Sequence, residues 1–489
     1  MSGPDVSTRH QPTLGRTRRV HMVGIGGIGM SSIAEVLLAR GFAVTGSDLH
    51  LTEVTAHLQK RGAVIYEGHA AANVGDPDVV VYSSAVEPDA NPETRLADSR
   101  RIPLISRAVM LGELMRTKFG VGIAGTHGKT TTTSMAGTVV AAGGFDPTII
   151  VGGKVTVFGS NARTGEGDII LVEADEYDRT FLRLTPSLAV ITNIEEEHLD
   201  TYRDLEDILD AYVSFADSVP FFGAAIVCLD DPNVQVILDR IDRRIVTYGY
   251  ARQADVRAED VRQSGMRMSF DVYQGQTELG RAEVNQPGHH NVRNALAAIA
   301  VGLELDMDFD QIRTGLKTFS GVQRRMQEIG VAGGVRVVDD YAHHPTEIRA
   351  TLEAAAGCWP NSRIVAVFQP HLYSRTRDFR EAFARSFFNA DVLVVMDVYG
   401  AREQPIPGVD GTALAELARS YGHRDVHYVR DKESMPQIVA GMAREGDLIL
   451  TLGAGDIWRY SRELLQELQP RRSDARNAKM AGEANGSTE

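Results

Sequence analysis

The sequence has few of the features that mark secreted, membrane-spanning or nucleic-acid-binding proteins. Its 489 residues include only two cysteines, Cys228 and Cys358, too few for a disulfide framework or a cysteine-rich metal site. No apolar run approaches the roughly 18 residues of a membrane span, and the polar N-terminus has no apolar signal-peptide core. A net charge of −14 disfavours binding to nucleic acids or anionic membranes. We therefore expect a cytoplasmic protein that inserts into no membrane and binds no nucleic acid.

Short β-branched runs alternate with helical patterns along most of the chain, which is typical of α/β proteins with parallel sheets. With 43% hydrophobic residues, the chain can fill several cores. We predict domain boundaries near residues 116 and 326, a flexible N-terminal tail at 1–18 and a disordered tail at 470–489.

The apolar runs define the main predicted elements. In the first group, strands are predicted at 19–23, 43–47 and 79–83, with a helix at 30–40. A second group of strands begins at residue 121 and includes 169–173, 188–192 and 224–229. A third group comprises 335–339, 363–368, 392–396 and 448–452. An alternating, antiparallel stretch is predicted at 256–284, followed by a helix at 291–303.

A glycine-rich segment, Gly125-Thr-His-Gly-Lys-Thr-Thr-Thr132, follows the apolar run 121–124 and predicts a triphosphate-binding loop. Glycines let backbone N–H groups face the phosphates, Lys129 would reach the β- and γ-phosphates, and the Thr130 hydroxyl would bind Mg²⁺. Only two residues separate Gly125 from Gly128, two fewer than in the usual phosphate loop. The alternative is a glycine turn capped by threonines.

A second glycine-rich segment, Gly24-Ile-Gly-Gly-Ile-Gly29, lies between a predicted strand and a predicted helix. Asp48 ends the next strand, 19 residues after Gly29. This is the layout of a dinucleotide fold, in which a diphosphate sits at the helix N-terminus and the acid binds a ribose. The diphosphate of a sugar nucleotide would fit equally well. A dehydrogenase is the rival interpretation, but it leaves the phosphate loop without a function.

Carboxylates follow the predicted strand 169–173. Glu173 is the candidate Mg²⁺ ligand because it is the first acid after a buried strand in the sheet that carries the phosphate loop. We expect Asp175 and Glu176 to belong to a solvated loop or to cap a helix. The role of His198, after the next strand, is open, because Mg²⁺ prefers oxygen ligands.

Further along the chain, polar groups cluster at predicted element ends. Asn291 and Asn294 share a helix face and could pair with an adenine edge, although Asn291 could instead cap the helix. The adjacent guanidinium groups of Arg324 and Arg325 suit phosphoryl oxygens, or could belong to a charged linker. Two titratable clusters follow strands, and the second could hold a carboxylate: Asp340, Tyr341, His343 and His344, and then His371 and Arg375.

Taken in order, these motifs resemble the Mur ligase family over residues 18–465. The resemblance implies an α/β protein of three domains: a Rossmann-like domain at 19–116 for UDP-N-acetylmuramic acid, a central P-loop-type ATPase domain at 117–325 for ATP, and a Rossmann-like domain at 326–469 that brings L-alanine. It implies an ATP-dependent ligase of peptidoglycan biosynthesis that forms an acyl phosphate and then an amide. Leu372 stands where such ligases often have arginine, so no contact is assigned to it.

The resemblance also implies a set of site residues. Those expected in catalysis are Lys129, Glu173, His198, Arg325, Asp340, His343 and His344, of which Asp340, His343 or His344 would assist amine deprotonation. ATP contacts are expected at Gly125, Thr126, His127, Gly128, Lys129, Thr130, Thr131, His290, Asn291, Asn294, Arg325 and Asp340. UDP-sugar contacts are expected at Gly24, Gly26, Gly27, Gly29, Asp48, Ser83 and Ser84, and amino-acid contacts at Tyr341, His343, His371 and Arg375. Mg²⁺ or Mn²⁺ would bind Thr130, Glu173 and His198.

Two alternatives stay open beside the alanine-adding ligase, and so does the choice between monomer and homodimer. One is a recycling ligase that adds a murein tripeptide to the same UDP-sugar. The other is a nucleotide-binding sensor without catalytic activity. Turnover separates them, because a sensor would bind ATP without forming an amide.

Overall fold

A computed structural model describes residues 14–153, 161–199 and 201–469. The predicted disordered tail and residues 1–13 of the predicted N-terminal tail lie outside these ranges. The chain divides into two compact units. The first runs to Arg262 and includes Ser269–Asn285 and His290–Val322, and the second comprises Gln263–Met268, Gln286–His289 and the residues from Gln323 onward.

The first sheet is parallel and Rossmann-like, in the order β3-β2-β1-β4-β5. Its elements are β1 (Arg19–Val23), α1 (Ile28–Ala39), β2 (Ala43–Asp48), α2 (Glu53–Lys60), β3 (Val64–Glu67), β4 (Val79–Tyr82), α3 (Pro92–Ser99), β5 (Leu104–Ser106) and α4 (Arg107–Arg116). The chain order reverses between β1 and β4, and ligands of such sheets bind beyond the carboxyl ends of the strands at this point. The predicted strands and helix of this region are confirmed to within two residues.

The second sheet has the order β15-β14-β13-β12-β11-β10-β6-β9-β7-β8. Its elements are β6 (Phe119–Ala124), α5 (Lys129–Ala142), β7 (Thr148–Ile150), β8 (Ala162–Arg163), β9 (Ile169–Glu173), β10 (Leu188–Ile191), α6 (Leu205–Asp217), β11 (Ala224–Cys228), α7 (Pro232–Ile237), β12 (Ile245–Gly249), β13 (Val256–Ser264), β14 (Arg267–Gln274), β15 (Thr277–Val284), α8 (His289–Glu304) and α9 (Phe309–Thr318).

In this sheet, β6 lies parallel to β9 on one side and to β10 on the other. The carboxyl ends of these three strands therefore reach the same edge of the sheet, with the phosphate loop between Glu173 and Thr192. Two-residue turns join the neighbouring strands β13, β14 and β15, and such short connections allow only antiparallel pairing. The predicted antiparallel stretch is thus confirmed.

The third sheet has the order β16-β17-β21-β18-β19-β20, with β16 antiparallel to β17 and the other pairs parallel. Its elements are β16 (Gln327–Ala332), β17 (Val335–Asp340), α10 (Pro345–Cys358), β18 (Ile364–Phe368), α11 (Tyr373–Asp378), α12 (Arg380–Ala384), β19 (Val392–Met396), α13 (Gly411–Ser420), β20 (Val426–Val429), α14 (Met435–Met442), β21 (Leu448–Leu452) and α15 (Ile457–Glu467). Short 3₁₀ helices occur at Ala71–Asn73, Tyr177–Arg183, Leu238–Arg240 and Lys432–Ser434.

The predicted α/β class is confirmed by these sheets, while the domain boundaries stay predictions. Among the described residues, no helix combines the length and the apolar character needed to cross a bilayer.

A buried carboxylate holds the first sheet together beside its ligand-binding edge. Glu93, in the first turn of α3, is fully buried. Ser47 donates a 2.6 Å hydrogen bond to Glu93 Oε2, and His21 Nε2 lies 3.1 Å from the same oxygen. The backbone N–H of Ala70 and the amide of Asn73 donate to Oε1. Burial raises the pKa of Glu93, but these hydrogen bonds outweigh it and hold the pKa below its ordinary value.

We predict that Glu93→Leu destabilises the protein. The change removes the acceptor of the Ala70 N–H and one acceptor each of the Ser47 and Asn73 side chains, which also contact His69 Nδ1 and Gly68 O. A buried donor left unsatisfied costs about 1–3 kcal/mol. The melting temperature at pH 7 should fall by several degrees. Since the pKa of Glu93 is lower in the folded state, its contribution is present above the ordinary value of 4.5 and is lost as the pH falls further. The difference in melting temperature between the variant and wild type should therefore become smaller below that pH.

The matched control is Glu113→Gln, which removes an exposed ion pair with Arg116. Such pairs contribute about 0–1 kcal/mol, so this variant should melt close to wild type. Equal melting of the Glu93 and Glu113 variants would contradict the prediction.

Candidate functional site

The phosphate loop connects β6 to α5 through two glycines that no other residue could replace without strain. Gly125 has φ +134° and Gly128 has φ +82°, in the region that favours glycine. A Cβ at Gly125 would lie 1.9 Å from the Thr192 hydroxyl, and one at Gly128 would lie 2.8 Å from Asn294 Oδ1. No side chain caps the start of α5, so the alternative of a threonine-capped turn is wrong. The first N–H groups of α5 thus remain available for an anion.

The segment after β10 fixes the shape of the loop. The backbone N–H of Thr126 donates to Asn193 O, and the Thr126 hydroxyl accepts from the N–H of Glu195 at 2.8 Å. The N–H of His127 donates to Asn193 Oδ1, and the Thr192 hydroxyl donates to His127 O at 2.7 Å. These bonds hold the backbone of residues 126 and 127 in one conformation before any ligand binds.

Lys129 folds back into the loop and is paired with Glu176. Its ammonium donates to Gly125 O at 2.7 Å, to Thr126 O at 3.1 Å and to Glu176 Oε1 at 2.8 Å. Burial lowers the pKa of Lys129, but the charges of Glu176 and Asp175 outweigh it and keep the pKa above its usual value. The amine is therefore a cation at neutral pH.

The expectation that Glu176 is solvated or caps a helix is wrong. Its side chain is buried, and burial raises its pKa to about 7, although the charge of Lys129 opposes the shift. Asp175 fits the expectation better, because its carboxylate accepts the backbone N–H of Tyr177 in the turn after β9. Nothing in the sequence around Glu176 signals its burial, since the ion pair joins residues 47 positions apart.

The predicted magnesium ligands divide into two neighbouring groups. The Thr130 hydroxyl donates to Glu173 Oε1 at 2.8 Å, and burial raises the pKa of Glu173. His198 lies instead with Glu176 and Glu197, and one ligand atom from each of these three residues falls within 4.8 Å of the others. The buried carboxylate and hydroxyl oxygens of both groups suit Mg²⁺ or Mn²⁺.

Two amides lie beside the phosphate loop. The amide of Asn294 donates to Asn291 Oδ1 at 3.1 Å, and both side chains are buried. The Asn291 amide also lies 3.1 Å from His290 Nε2. Because α8 begins at His289, Asn291 is inside the first turn, and the alternative that it caps the helix is wrong.

The first glycine-rich loop is held by the acid at the end of β2. The N–H of Gly26 donates to Asp48 Oδ2 at 2.8 Å, and Gly27 precedes α1 without a side-chain cap. Gly24 has φ +79°, and a Cβ there would lie 3.0 Å from Ser83 Cβ. The structure thus brings Gly24, Gly26, Asp48 and Ser83 together, whereas Ser84 is exposed.

Arg107 lies against the same loop and was not predicted. A Cβ on Gly29 would lie only 2.7 Å from a guanidinium nitrogen of Arg107. The signal in the sequence is weak: an arginine at the first position of a helix, where the helix dipole disfavours positive charge.

In the second unit, Asp340 ends β17 and is nearly fully buried. It accepts hydrogen bonds from the N–H groups of Met326, at 2.7 Å, and Ala342, at 2.8 Å. Burial raises its pKa to about 6, against the lowering effect of Arg325. Arg325 itself lies 3.5 Å from a carboxylate oxygen of Glu347.

The prediction that the guanidinium groups of Arg324 and Arg325 together bind phosphoryl oxygens is wrong, because that of Arg324 is bonded to other residues of the fold. Its Nε lies 3.0 Å from Asp339 Oδ2, and a terminal nitrogen donates to Gly453 O at 2.5 Å. Arg325 remains the candidate for a phosphoryl group.

Three of the four residues predicted to contact the amino acid have aromatic rings that lie next to one another. The rings of Tyr341 and His343 lie 5.2 Å apart, and those of His343 and His371 lie 6.1 Å apart. Arg375 approaches His371 Nδ1 at 3.3 Å. Burial, with the nearby charge of Arg375, lowers the pKa of His371 to about 4, so this imidazole is neutral at physiological pH. His344 is buried at the N-cap of α10, where its Nδ1 accepts from the N–H of Thr346.

These features define an α/β protein whose glycine-rich loops suit nucleotide phosphates. Family models match in succession: the Mur ligase family catalytic domain at 19–119, the Mur ligase middle domain at 123–302 and the Mur ligase glutamate ligase domain at 324–455. The chain belongs to the Mur ligase family. The resemblance drawn from the sequence motifs is confirmed.

Relatives with assigned names are similar over nearly the whole chain. Identity is 65% to a UDP-N-acetylmuramate–L-alanine ligase of Salinibacter ruber, over 94% of this chain and 97% of that ligase. A solved UDP-N-acetylmuramate–alanine ligase from Thermotoga maritima matches with a TM-score of 0.77 and 30% identity, over 92% of this chain and 98% of that one. A murein peptide ligase from Psychrobacter arcticus matches with a TM-score of 0.66 and 25% identity, over the same shares of the two chains.

We predict that Lys129→Met destabilises the protein in a pH-dependent way. The change leaves the Glu176 carboxylate buried without its partner, and breaking such pairs costs about 3–5 kcal/mol. The pKa of Glu176, already about 7, should rise further. A carboxyl group whose pKa is raised by folding favours the folded state as the pH falls. The melting temperature should therefore be well below wild type at pH 8.5 and approach it toward pH 5, measured without nucleotide or metal.

The control is the double variant Lys129→Met with Glu176→Gln, which removes both charges. It should recover most of the lost stability at pH 8.5. A deficit that is independent of pH, or a double variant less stable than Lys129→Met alone, would contradict the ion-pair interpretation.

Proposed function

We propose that this protein joins L-alanine to the lactyl carboxylate of UDP-N-acetylmuramic acid, using ATP and releasing ADP and phosphate, in peptidoglycan biosynthesis. The observation that carries the proposal is the presence of two separate glycine-rich loops, each before a helix in the first unit. One loop suits the diphosphate of a UDP-sugar and the other the triphosphate of ATP. The 65% identity to an alanine ligase supports L-alanine as the amino acid. We place the reaction in the cytoplasm, where ATP and nucleotide sugars occur.

The phosphate loop and its neighbours would bind ATP. On ligand binding, Lys129 would exchange its contact with Glu176 for the β- and γ-phosphates, and Asn291 and Asn294 would bind the adenine end. Thr130 and Glu173 would hold Mg²⁺ or Mn²⁺, with a second ion near His198, Glu176 and Glu197. Such an ion neutralises charge on the transferring phosphoryl group. The buried oxygens of Thr130 and Glu173, already 2.8 Å apart, support this assignment.

The first loop would bind the UDP-sugar. The N–H groups at the start of α1 face the diphosphate, and Asp48 is placed for the ribose while it holds Gly26. The sugar carboxylate attacks the γ-phosphorus of ATP, forming an acyl phosphate and ADP. The amine of L-alanine then attacks the acyl carbon, phosphate leaves and the amine loses a proton.

His343 is the best-placed base of the three candidates. Its Nδ1 lies 3.0 Å from Tyr341 O and 3.2 Å from Glu347 Oε2, which are both acceptors. In the neutral imidazole, Nδ1 would therefore carry the proton and Nε2 the lone pair that a base needs. His344 Nδ1 is used in capping α10, and Asp340 already accepts two backbone hydrogen bonds. Arg375, with neutral His371, would hold the carboxylate of L-alanine.

The alternatives have less support. The murein peptide ligase match has a lower TM-score and lower identity than the alanine ligase match. A dehydrogenase would leave the phosphate loop unused, and the named relatives with high similarity over nearly the whole chain are ligases rather than sensors.

We predict that Lys129→Ala lowers ADP release by at least about 100-fold, because the charge that stabilises the transferring phosphoryl group is lost. Binding of UDP-N-acetylmuramic acid should stay within about twofold of wild type, since phosphate-loop contacts are separate from the first loop. Coupled ADP detection and calorimetric titration measure the two quantities. Lys60→Ala, on the exposed side of α2, is the control. Equal loss of both properties in a folded variant would contradict the assignment of two sites.

We further expect the wild-type protein to release phosphate with UDP-N-acetylmuramic acid, ATP and L-alanine. Replacing L-alanine by the murein tripeptide should give little release. Preference for the tripeptide would favour the recycling ligase, and absence of release with both would favour a sensor.

A further inference from the structure

Arg107 lies against the first glycine-rich loop and lines a cavity with Glu173, the candidate magnesium ligand. It is the first residue of α4, directly after β5. On one side its guanidinium covers Gly29 so closely that a Cβ there would lie 2.7 Å from Nη1 and 3.3 Å from Cζ. On another side it lines a small cavity together with Glu173 and Asp175.

The position is electrostatically unfavourable for a cation without an anion. The start of a helix carries partial positive charge, and Arg107 lies at the start of α4 and close to the start of α1. Ser106 accepts a hydrogen bond from the N–H of Val109 and brings no negative charge. Among residues 14–153, 161–199 and 201–469, the side chain of Arg107 has neither an ion-pair nor a hydrogen-bond partner. Its side chain is nevertheless half-buried.

The residues around Arg107 indicate which anion its guanidinium could bind. The backbone N–H groups of the first loop can hold the diphosphate of a sugar nucleotide without a side chain. The sugar carboxylate has to reach the γ-phosphate, which the site of Thr130 and Glu173 would hold. Because Arg107 lies against Gly29 and lines a cavity with Glu173, its side chain is close to both ends of that path. Without a bound metal ion, Glu173 and Asp175 would repel a carboxylate there, and the positive charge of Arg107 would oppose that repulsion.

We propose that Arg107 binds the carboxylate of the sugar nucleotide and positions it for phosphoryl transfer. The inference rests on the proposed function. A guanidinium can hold both carboxylate oxygens in a fixed orientation, which a lysine cannot do. Arg107 would thereby select a sugar nucleotide with an acid side chain over one without it.

The test compares two ligands on the full chain without ATP. UDP-N-acetylglucosamine has the same nucleotide and diphosphate as UDP-N-acetylmuramic acid but lacks the carboxylate. For Arg107→Gln, the dissociation constant of UDP-N-acetylmuramic acid should rise about 10- to 100-fold, as expected for a lost charge-assisted hydrogen bond. That of UDP-N-acetylglucosamine should change less than about threefold. Arg107→Lys should fall between wild type and Arg107→Gln.

The control is Arg116→Gln at the exposed end of the same helix, which should bind both ligands like wild type. Melting temperatures confirm that each variant is folded, and the dissociation constant of ATP should not change. Equal weakening for both sugar nucleotides would overturn the proposal in favour of a diphosphate contact, and unchanged binding would overturn it outright. Failure of the proposed function is distinguishable, because the wild-type protein would then release no phosphate with L-alanine.

Discussion

The ion pair between Lys129 and Glu176 is the constraint on which the site of the first unit depends. Neither charge is stable alone in a buried position, so each requires the other. Lys129 starts α5 after β6, and Glu176 follows β9, the strand that pairs with β6. The parallel pairing of these two strands therefore places the acid beside the phosphate loop. The same pairing brings Glu173 to the Thr130 hydroxyl. Sheet topology thus prepares the loop for an anion before ATP binds.

Much of the fold could be predicted because buried parallel strands are continuous apolar runs. The strands Ile169–Glu173, Val392–Met396 and Leu448–Leu452 have the predicted bounds. The short outer strands Val64–Glu67 and Val426–Val429 were not predicted. They lie at sheet edges and have exposed or half-exposed residues, so their sequences lack a continuous apolar run.

Site residues could be predicted from the sequence where their position follows from the ends of the strands alone. Gly125, Glu173 and Asp340 each stand at the carboxyl end of a parallel strand, and this location is visible as the end of an apolar run. Contacts between distant residues were not predictable. Arg324 is held by Asp339 and Gly453, and the pairing with Gly453 spans 129 positions. Glu176 and Arg107 were missed for the same reason, since the residues that surround them come from other strands and loops.

An acidic protein whose proposed ligands are two polyanions needs positive charge at its binding sites, although the net charge of the chain is negative. The chain has a net charge of −14, yet both proposed ligands are negative. Helix N-termini and buried cations solve the problem locally, because their N–H groups and side chains are fixed and are screened little by solvent. Lys129 and Arg107 differ in one respect. Lys129 is paired with Glu176, whereas the side chain of Arg107 has no ion pair within the part of the chain that the structure describes. The site has more acidic groups than the single positive charge of Lys129 can neutralise: Glu173, Asp175, Glu176 and Glu197. These groups would repel a triphosphate that carries no divalent cation. Under the proposed function, that imbalance would favour ATP that carries a divalent cation.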